Sequence, residues 1–121
     1  MARRVETLQK QVERIKRELT QLGDLRPGSL SVQFNVCGTP GCRCKRSPPQ
    51  KHGPYYQVSF TRKGRSGSRF VQRQHLAAVK RQLRNYARMR ELIDRWIEAA
   101  TELSDLRLQD NGGRRRAAPR T

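Results

Sequence analysis

The sequence predicts an α+β protein: an N-terminal heptad helix, a small antiparallel sheet carrying a zinc loop, and a long C-terminal helix. Three patterns predict it. Apolar residues recur every three or four positions near the N-terminus, alternate with period two in the middle of the chain, and return to a helical period towards the C-terminus. A length of 121 residues suits one domain with tails. Only 34% of the residues are hydrophobic and 6% aromatic, so a metal, a coiled coil or a dimer interface is expected to supplement a thin core.

The first helix occupies segment 1–25. Val5, Leu8, Val12, Ile15, Leu19 and Leu22 follow a 3-4-3-4-3 spacing, the seam of about two and a half heptads, and charged residues flank it. Gly23 and Pro27 stop it. A helix this short is marginal alone, so it must pack on something. Two partners satisfy it: a second copy of the chain, giving a dimer or a protein complex through the heptads, or the C-terminal helix of the same chain.

Segment 26–73 reads as a sheet module. Ser29 to Val36 alternates, with Leu30, Val32, Phe34 and Val36 on the face expected to be buried. Cys37 to Pro54 is rich in Gly and Pro and predicts a loop. Tyr56, Val58 and Phe60 alternate again, a turn is expected over Lys63–Gly67, and Phe70 and Val71 lie in the returning strand of a β-hairpin.

Segment 74–108 predicts the long helix. Leu76, Val79, Leu83, Tyr86, Met89, Ile93, Trp96, Ile97, Ala100 and Leu103 give it an apolar face. Its first half carries Lys80, Arg81, Arg84 and Arg88; its second half carries Glu91, Asp94, Glu98, Glu102 and Asp105. The N-terminal helix, with Lys10, Arg14, Lys16 and Arg17, is net positive, so opposite charges favour pairing the two helices by small amounts per pair. Segment 109–121 reads as a disordered basic tail whose Arg114, Arg115 and Arg116 would add non-specific affinity for a polyanion.

The chain's three cysteines and one of its two histidines fall within sixteen residues: Cys37, Cys42, Cys44 and His52, spaced C-x4-C-x-C-x7-H. Thiolates with an imidazole in one short loop suit tetrahedral Zn2+. Cys42 and Cys44 project from one tight turn, and Gly38, Pro40 and Gly41 let the chain curl back to Cys37. Arg43, Lys45 and Arg46 favour the thiolate forms. His75 is a second candidate for the fourth ligand, although its position at a helix start suits a capping or surface residue. Four protein ligands leave no open coordination position, which makes the site structural rather than catalytic. No Asp or Glu lies near it, and the stripe Asp94, Glu98, Glu102, Asp105 reads as a helix-pairing face, so no enzyme activity is expected.

Charge supplies the functional expectation. The formal net charge is +17. From Arg26 to Arg90 there are fifteen Lys/Arg and no Asp or Glu, while the other twelve basic residues are set against all ten acids. Such a segment points to a polyanion, nucleic acid being the commonest. Arg43, Lys45, Arg46, Lys51, Arg62, Lys63, Arg65, Arg69 and Arg73 are the candidate phosphate contacts. Tyr55 is a candidate for stacking on bases. No apolar run is long enough for a membrane span, the charged N-terminus lacks a secretory h-region, and an odd cysteine count argues against a closed disulfide framework. A reducing cytoplasm fits these features.

Three stretches also resemble a known pattern. Arg26-Pro-Gly-Ser-Leu, Asn35-Val-Cys-Gly-Thr-Pro-Gly-Cys-Arg-Cys44 and His52-Gly-Pro-Tyr-Tyr56 are similar to an uncharacterised family of small bacterial proteins. That family carries Pro-Gly-Ser-Leu, Cys-Gly-x-Pro-Gly-Cys-x-Cys and His-Gly-Pro-Tyr-Tyr, then a hairpin and a long helix. Its members are sometimes labelled transposase-like. The resemblance covers roughly residues 26–100 and implies that the three cysteines and His52 act as a unit. The expectation is therefore a zinc-stabilised, basic accessory protein that binds DNA or RNA as part of a mobile-element or genome-associated complex. The alternative is an adaptor or dimerisation module acting through its two helices.

Overall fold

The computed structural model describes residues 2–112. The order is α1 (Ala2–Gln21), β1 (Ser29–Asn35), β2 (His52–Arg62), β3 (Arg65–Val71) and α2 (Leu76–Gly112), with single 3-10 turns at Arg43–Lys45 and Arg73–His75. The class is α+β, as the periodicities predict. The last helix runs on to Gly112, four residues beyond the expected end at Leu108. Arg114, Arg115 and Arg116 lie outside the described residues. Among the described residues, no helix is long and apolar enough to cross a membrane.

The chain forms two compact units, and α2 contributes to both. The helical unit joins α1 to α2 from Arg88 onward. Leu8, Val12, Ala99 and Leu103 form its buried cluster, with Val5, Trp96 and Leu106 packed on it. Ile15 and Leu92 are also buried. Within this chain the heptad seam is therefore covered by the C-terminal helix. The sequence left that choice open because a seam specifies apolar contact, not which helix supplies it. Charge follows the apolar pairing. Arg4 donates from Nε and a terminal nitrogen to the Glu102 carboxylate at 2.8 and 2.9 Å. Arg88 donates to Glu18 at 2.7 Å and also to Glu91. The Lys16 ammonium sits 5.5 Å from the centre of the Trp96 ring. The side-chain hydrogen bond from Arg88 holds the Glu18 carboxyl below its ordinary 4.5, and that from Arg4 does the same for Glu102.

The second unit spans residues 23–87. Its sheet has the order β1-β2-β3 and is antiparallel throughout. The hairpin turn is two residues long, Lys63 and Gly64, with φ of 51° and 77°. Two successive positive φ values match the twist of the flanking strands, which explains glycine at the second position. The chain entering the sheet is tied to α2: the Asn85 side-chain amide donates to the Asp24 carbonyl at 2.8 Å, and the Arg26 backbone N–H donates to the Gln82 carbonyl at 3.2 Å. Val58 and Val79 are buried in this unit.

One expectation fails here. Val32 and Phe34 are each 54% exposed and Val36 56%, so the apolar row of β1 is buried only towards Leu30, which pairs with the fully buried Val58. The reason is size. β1 is an edge strand of a three-stranded sheet, and its far end leads into the cysteine loop instead of under a covering element.

Leu8→Ala should destabilise the helical unit by about 2–5 kcal/mol in chemical denaturation, because it empties a fully buried site. Ile97→Ala, at an exposed position, should change stability by less than about 0.5 kcal/mol. The ion pairs set a pH dependence. Both carboxyls titrate lower in the folded state, so their contribution is complete above the unfolded value of 4.5 and is lost as pH falls beneath it. Thermal melts should show that acid-side loss diminished in the variant combining Glu18→Gln with Glu102→Gln.

Candidate metal centre

Backbone pairing assembles the site. The β1–β2 ladder ends with Asn35 opposite His52, after a register shift between Gln33 and Asn35. The end of β1 therefore delivers Cys37 beside the start of β2, and the fourteen residues between Cys37 and His52 must fold back as a loop. Short turns inside it set the other two thiols. The Cys42 N–H donates to the Thr39 carbonyl at 3.3 Å, the Lys45 N–H to the Cys42 carbonyl at 2.9 Å, and the Gln50 N–H to the Arg43 carbonyl at 3.1 Å. The 3-10 turn Arg43–Lys45 points Cys44 inward, where it is buried, and leaves Arg43 and Lys45 exposed.

Gly53 is what lets β2 begin this close to β1. Its φ is +141°, and a Cβ there would lie 2.8 Å from both the Gln33 carbonyl oxygen and a Phe34 ring carbon. Only glycine meets both requirements.

The four donor atoms of Cys37, Cys42, Cys44 and His52 lie within 4.8 Å of one another. Cys37 Sγ is 3.6 Å from Cys44 Sγ, and Cys42 Sγ is 3.3 Å from His52 Nε2. Zinc–sulfur bonds of about 2.3 Å in a tetrahedron put sulfurs about 3.8 Å apart, so these two pairs lie near the edge length of such a shell, and the whole set spans no more than 4.8 Å. The arrangement is compatible with a metal ion. Its electrostatics favour thiolate at Cys37 and oppose it at Cys44. Hydrogen bonding from the Thr39 backbone, then from His52 and Cys42, holds the Cys37 thiol down at about 6. Cys44 accepts from the Cys37 backbone N–H at 3.3 Å, which favours its thiolate, yet burial and the neighbouring Cys42 and Cys37 thiols raise its pKa. A cation among the three sulfurs would remove that mutual penalty.

His52, not His75, completes the cluster. His75 lies in the 3-10 turn Arg73–His75, where its backbone N–H donates to the Gln72 carbonyl at 2.9 Å.

The candidate phosphate contacts form two groups. Arg43, Lys45, Arg46 and Lys51 are exposed on the cysteine loop. Arg62, Lys63 and Arg65 are exposed at the hairpin tip, where Arg62 pairs directly with Arg65. The eleven residues of β2 separate the groups, about 35 Å at the usual rise per residue. Arg69 shares a sheet face with Arg62 and Arg65, and Arg73 follows β3. Tyr55 is 40% exposed and points to the opposite face. Two residues of interest escape sequence reading. Phe70 is 70% exposed on the same face as Tyr55. Arg26 lies 5.6 Å from the centre of the Phe60 ring. The Phe70-Val71 pair carried a signal, since adjacent strand residues point to opposite faces, but which one faces out depends on register.

This geometry accompanies a family assignment. Residues 5–81 match a family described as a domain of unknown function, DUF6788, and the chain belongs to that family. Neither a curated protein nor a solved structure matches the chain.

Substituting Cys44→Ser should remove the buried donor and lower the content of bound metal, measured by elemental analysis of the purified protein. Gly53→Ala should do the same indirectly, by forcing β2 away from Gln33 and Phe34. Hydrogen exchange should show both variants losing protection in β1 and β2 while α1 keeps its own.

Proposed function

We propose that the protein is a zinc-stabilised nucleic-acid-binding accessory factor. The observation that carries this is the hairpin tip. Arg62 and Arg65 are directly opposed across the strands with Lys63 in the turn between them. Like charges directly opposite one another destabilise a strand pair. No carboxylate exists anywhere between Arg26 and Arg90 to relieve them. A surface that keeps such repulsion is suited to an external polyanion, and phosphate oxygens supply one.

The cysteine–histidine cluster serves this surface as a clasp. Zn2+ held by Cys37, Cys42, Cys44 and His52 would fix the loop bearing Arg43, Lys45, Arg46 and Lys51 relative to β2. All three cysteines are free thiols, in keeping with a reducing compartment such as the cytoplasm. The charge reads backbone rather than sequence, which suits a supporting role in a genome-associated or mobile-element complex.

A second reading is an adaptor that binds protein through its helices. It is favoured by Ile97 and Leu108, which are 57% and 65% exposed on α2. One set of variants separates the two. Reversing Arg62, Lys63, Arg65 and Arg69 to Glu should abolish binding to DNA and RNA and leave partner capture through the helices intact. On native protein, the logarithm of the binding constant should fall linearly with the logarithm of salt concentration, with a slope of roughly −0.7 to −0.9 per phosphate contacted. Absence of binding at low salt, or binding indifferent to salt, would defeat the proposal. Native protein should carry close to one equivalent of zinc, and chelation should unfold the sheet unit.

A further inference from the structure

The two faces of the sheet differ in chemistry. Leu30, Val58 and Arg69 mark one face. The other bears Ser31, Gln33, Tyr55, Gln57, Ser59, Ser68 and Phe70. It is mostly exposed and carries no charged side chain over that span. On it Gln33 pairs with Tyr55, and Gln57 pairs with Phe70. Tyr55 and Phe70 are therefore diagonal neighbours on adjacent strands. Such neighbours lie about 7–8 Å apart, close to twice the ~3.4 Å spacing of stacked bases.

Both residues border a cleft of about 430 Å³ at the end of the β2–β3 pair, with Tyr56, Val71 and Arg73 also in its wall. The Gln33 and Gln57 side chains are hydrogen-bonded to each other at 2.6 Å on the same face. That leaves amide groups beside the rings for hydrogen bonding to base edges. Phe70 is 70% exposed and Tyr55 40%, so both rings are open to a ligand on this face.

We propose that this outward face is a stacking surface for single-stranded nucleic acid, with Tyr55 and Phe70 each taking the face of an unpaired base. The inference rests on the nucleic-acid reading above and specifies its ligand. Charge selects the occupant: the face sits in a segment without a carboxylate, with Arg73 at the cleft and the loop cations Lys51 and Arg46 preceding β2. A duplex hides its base faces inside the stack, so only a strand with unpaired bases can use both rings.

The test uses the full chain and fluorescence anisotropy with a labelled oligothymidine single strand and, separately, a duplex of matched length at the same salt. The variant combining Tyr55→Ala with Phe70→Ala should weaken single-strand binding by about tenfold or more and leave duplex binding within about twofold. Phe70→Leu should weaken single-strand binding too, because it keeps apolar bulk but removes the stacking ring. Both side chains are exposed, so circular dichroism and metal content should stay native. If single-strand affinity is unchanged, or falls equally for both ligands, the stacking surface is overturned. The broader reading survives that result as long as the Arg62, Lys63, Arg65 and Arg69 reversals still abolish binding. If native protein binds neither ligand, both fall. If the alanine variant instead converts a dimer to a monomer with affinity unchanged, the face belongs to a second copy of the chain and the proposal fails.

Discussion

The register of β1 against β2 is the constraint on which the sheet unit depends. With Asn35 opposite His52, the end of one strand and the start of the next become neighbours, and Cys37 meets His52 without any further search. The bulge between Gln33 and Asn35 and the open φ of Gly53 are the local adjustments that make the approach sterically possible. The same register decides which side chains share a face. It turns Val58 inward and Tyr55 outward, and so sets the metal cluster and the two surface chemistries together. A slip by one residue would invert both faces at once.

The two units are stabilised by different means. The helical unit buries Leu8, Val12, Ala99 and Leu103 and surrounds them with ion pairs that use many of the chain's acids. Those pairs are largely exposed and add orientation more than energy. The sheet unit has fewer buried apolar side chains, chiefly Val58, Val79 and Cys44. A structural zinc ion, if held by the cluster as proposed, would contribute on the order of 10 kcal/mol to a small domain, and would stand in for part of a hydrophobic core.

The division of charge follows the same line. Acids sit where helices need partners, and the sheet unit is left positive, with cations at the two ends of β2, on Arg26, Arg69 and Arg73, and on Lys80, Arg81 and Arg84 of α2. Between those ends the outward face is uncharged and carries two exposed rings. Under the proposed function, cations at the loop and the tip would hold a phosphate backbone while the face between them meets bases. The cysteine loop and the outward face of the sheet are linked through the short run from His52 to Tyr55, since Tyr55 also borders the depression beside Cys37 and Cys42.

The sequence by itself determined the elements and the donor set. Periods of 3.5, 2 and 3.6 marked α1, the strands and α2, and the C-x4-C-x-C-x7-H spacing named four residues that the structure brings within one coordination shell. These are local properties, fixed by residue type and spacing along the chain. Tertiary structure alone decided what covers what. The heptad seam did not reveal that α2 would fill it, and alternation did not reveal that Val32 and Phe34 would stay exposed. Each of those outcomes depends on which distant segment arrives alongside, and that is set by strand register and helix pairing, which act between residues far apart in the chain.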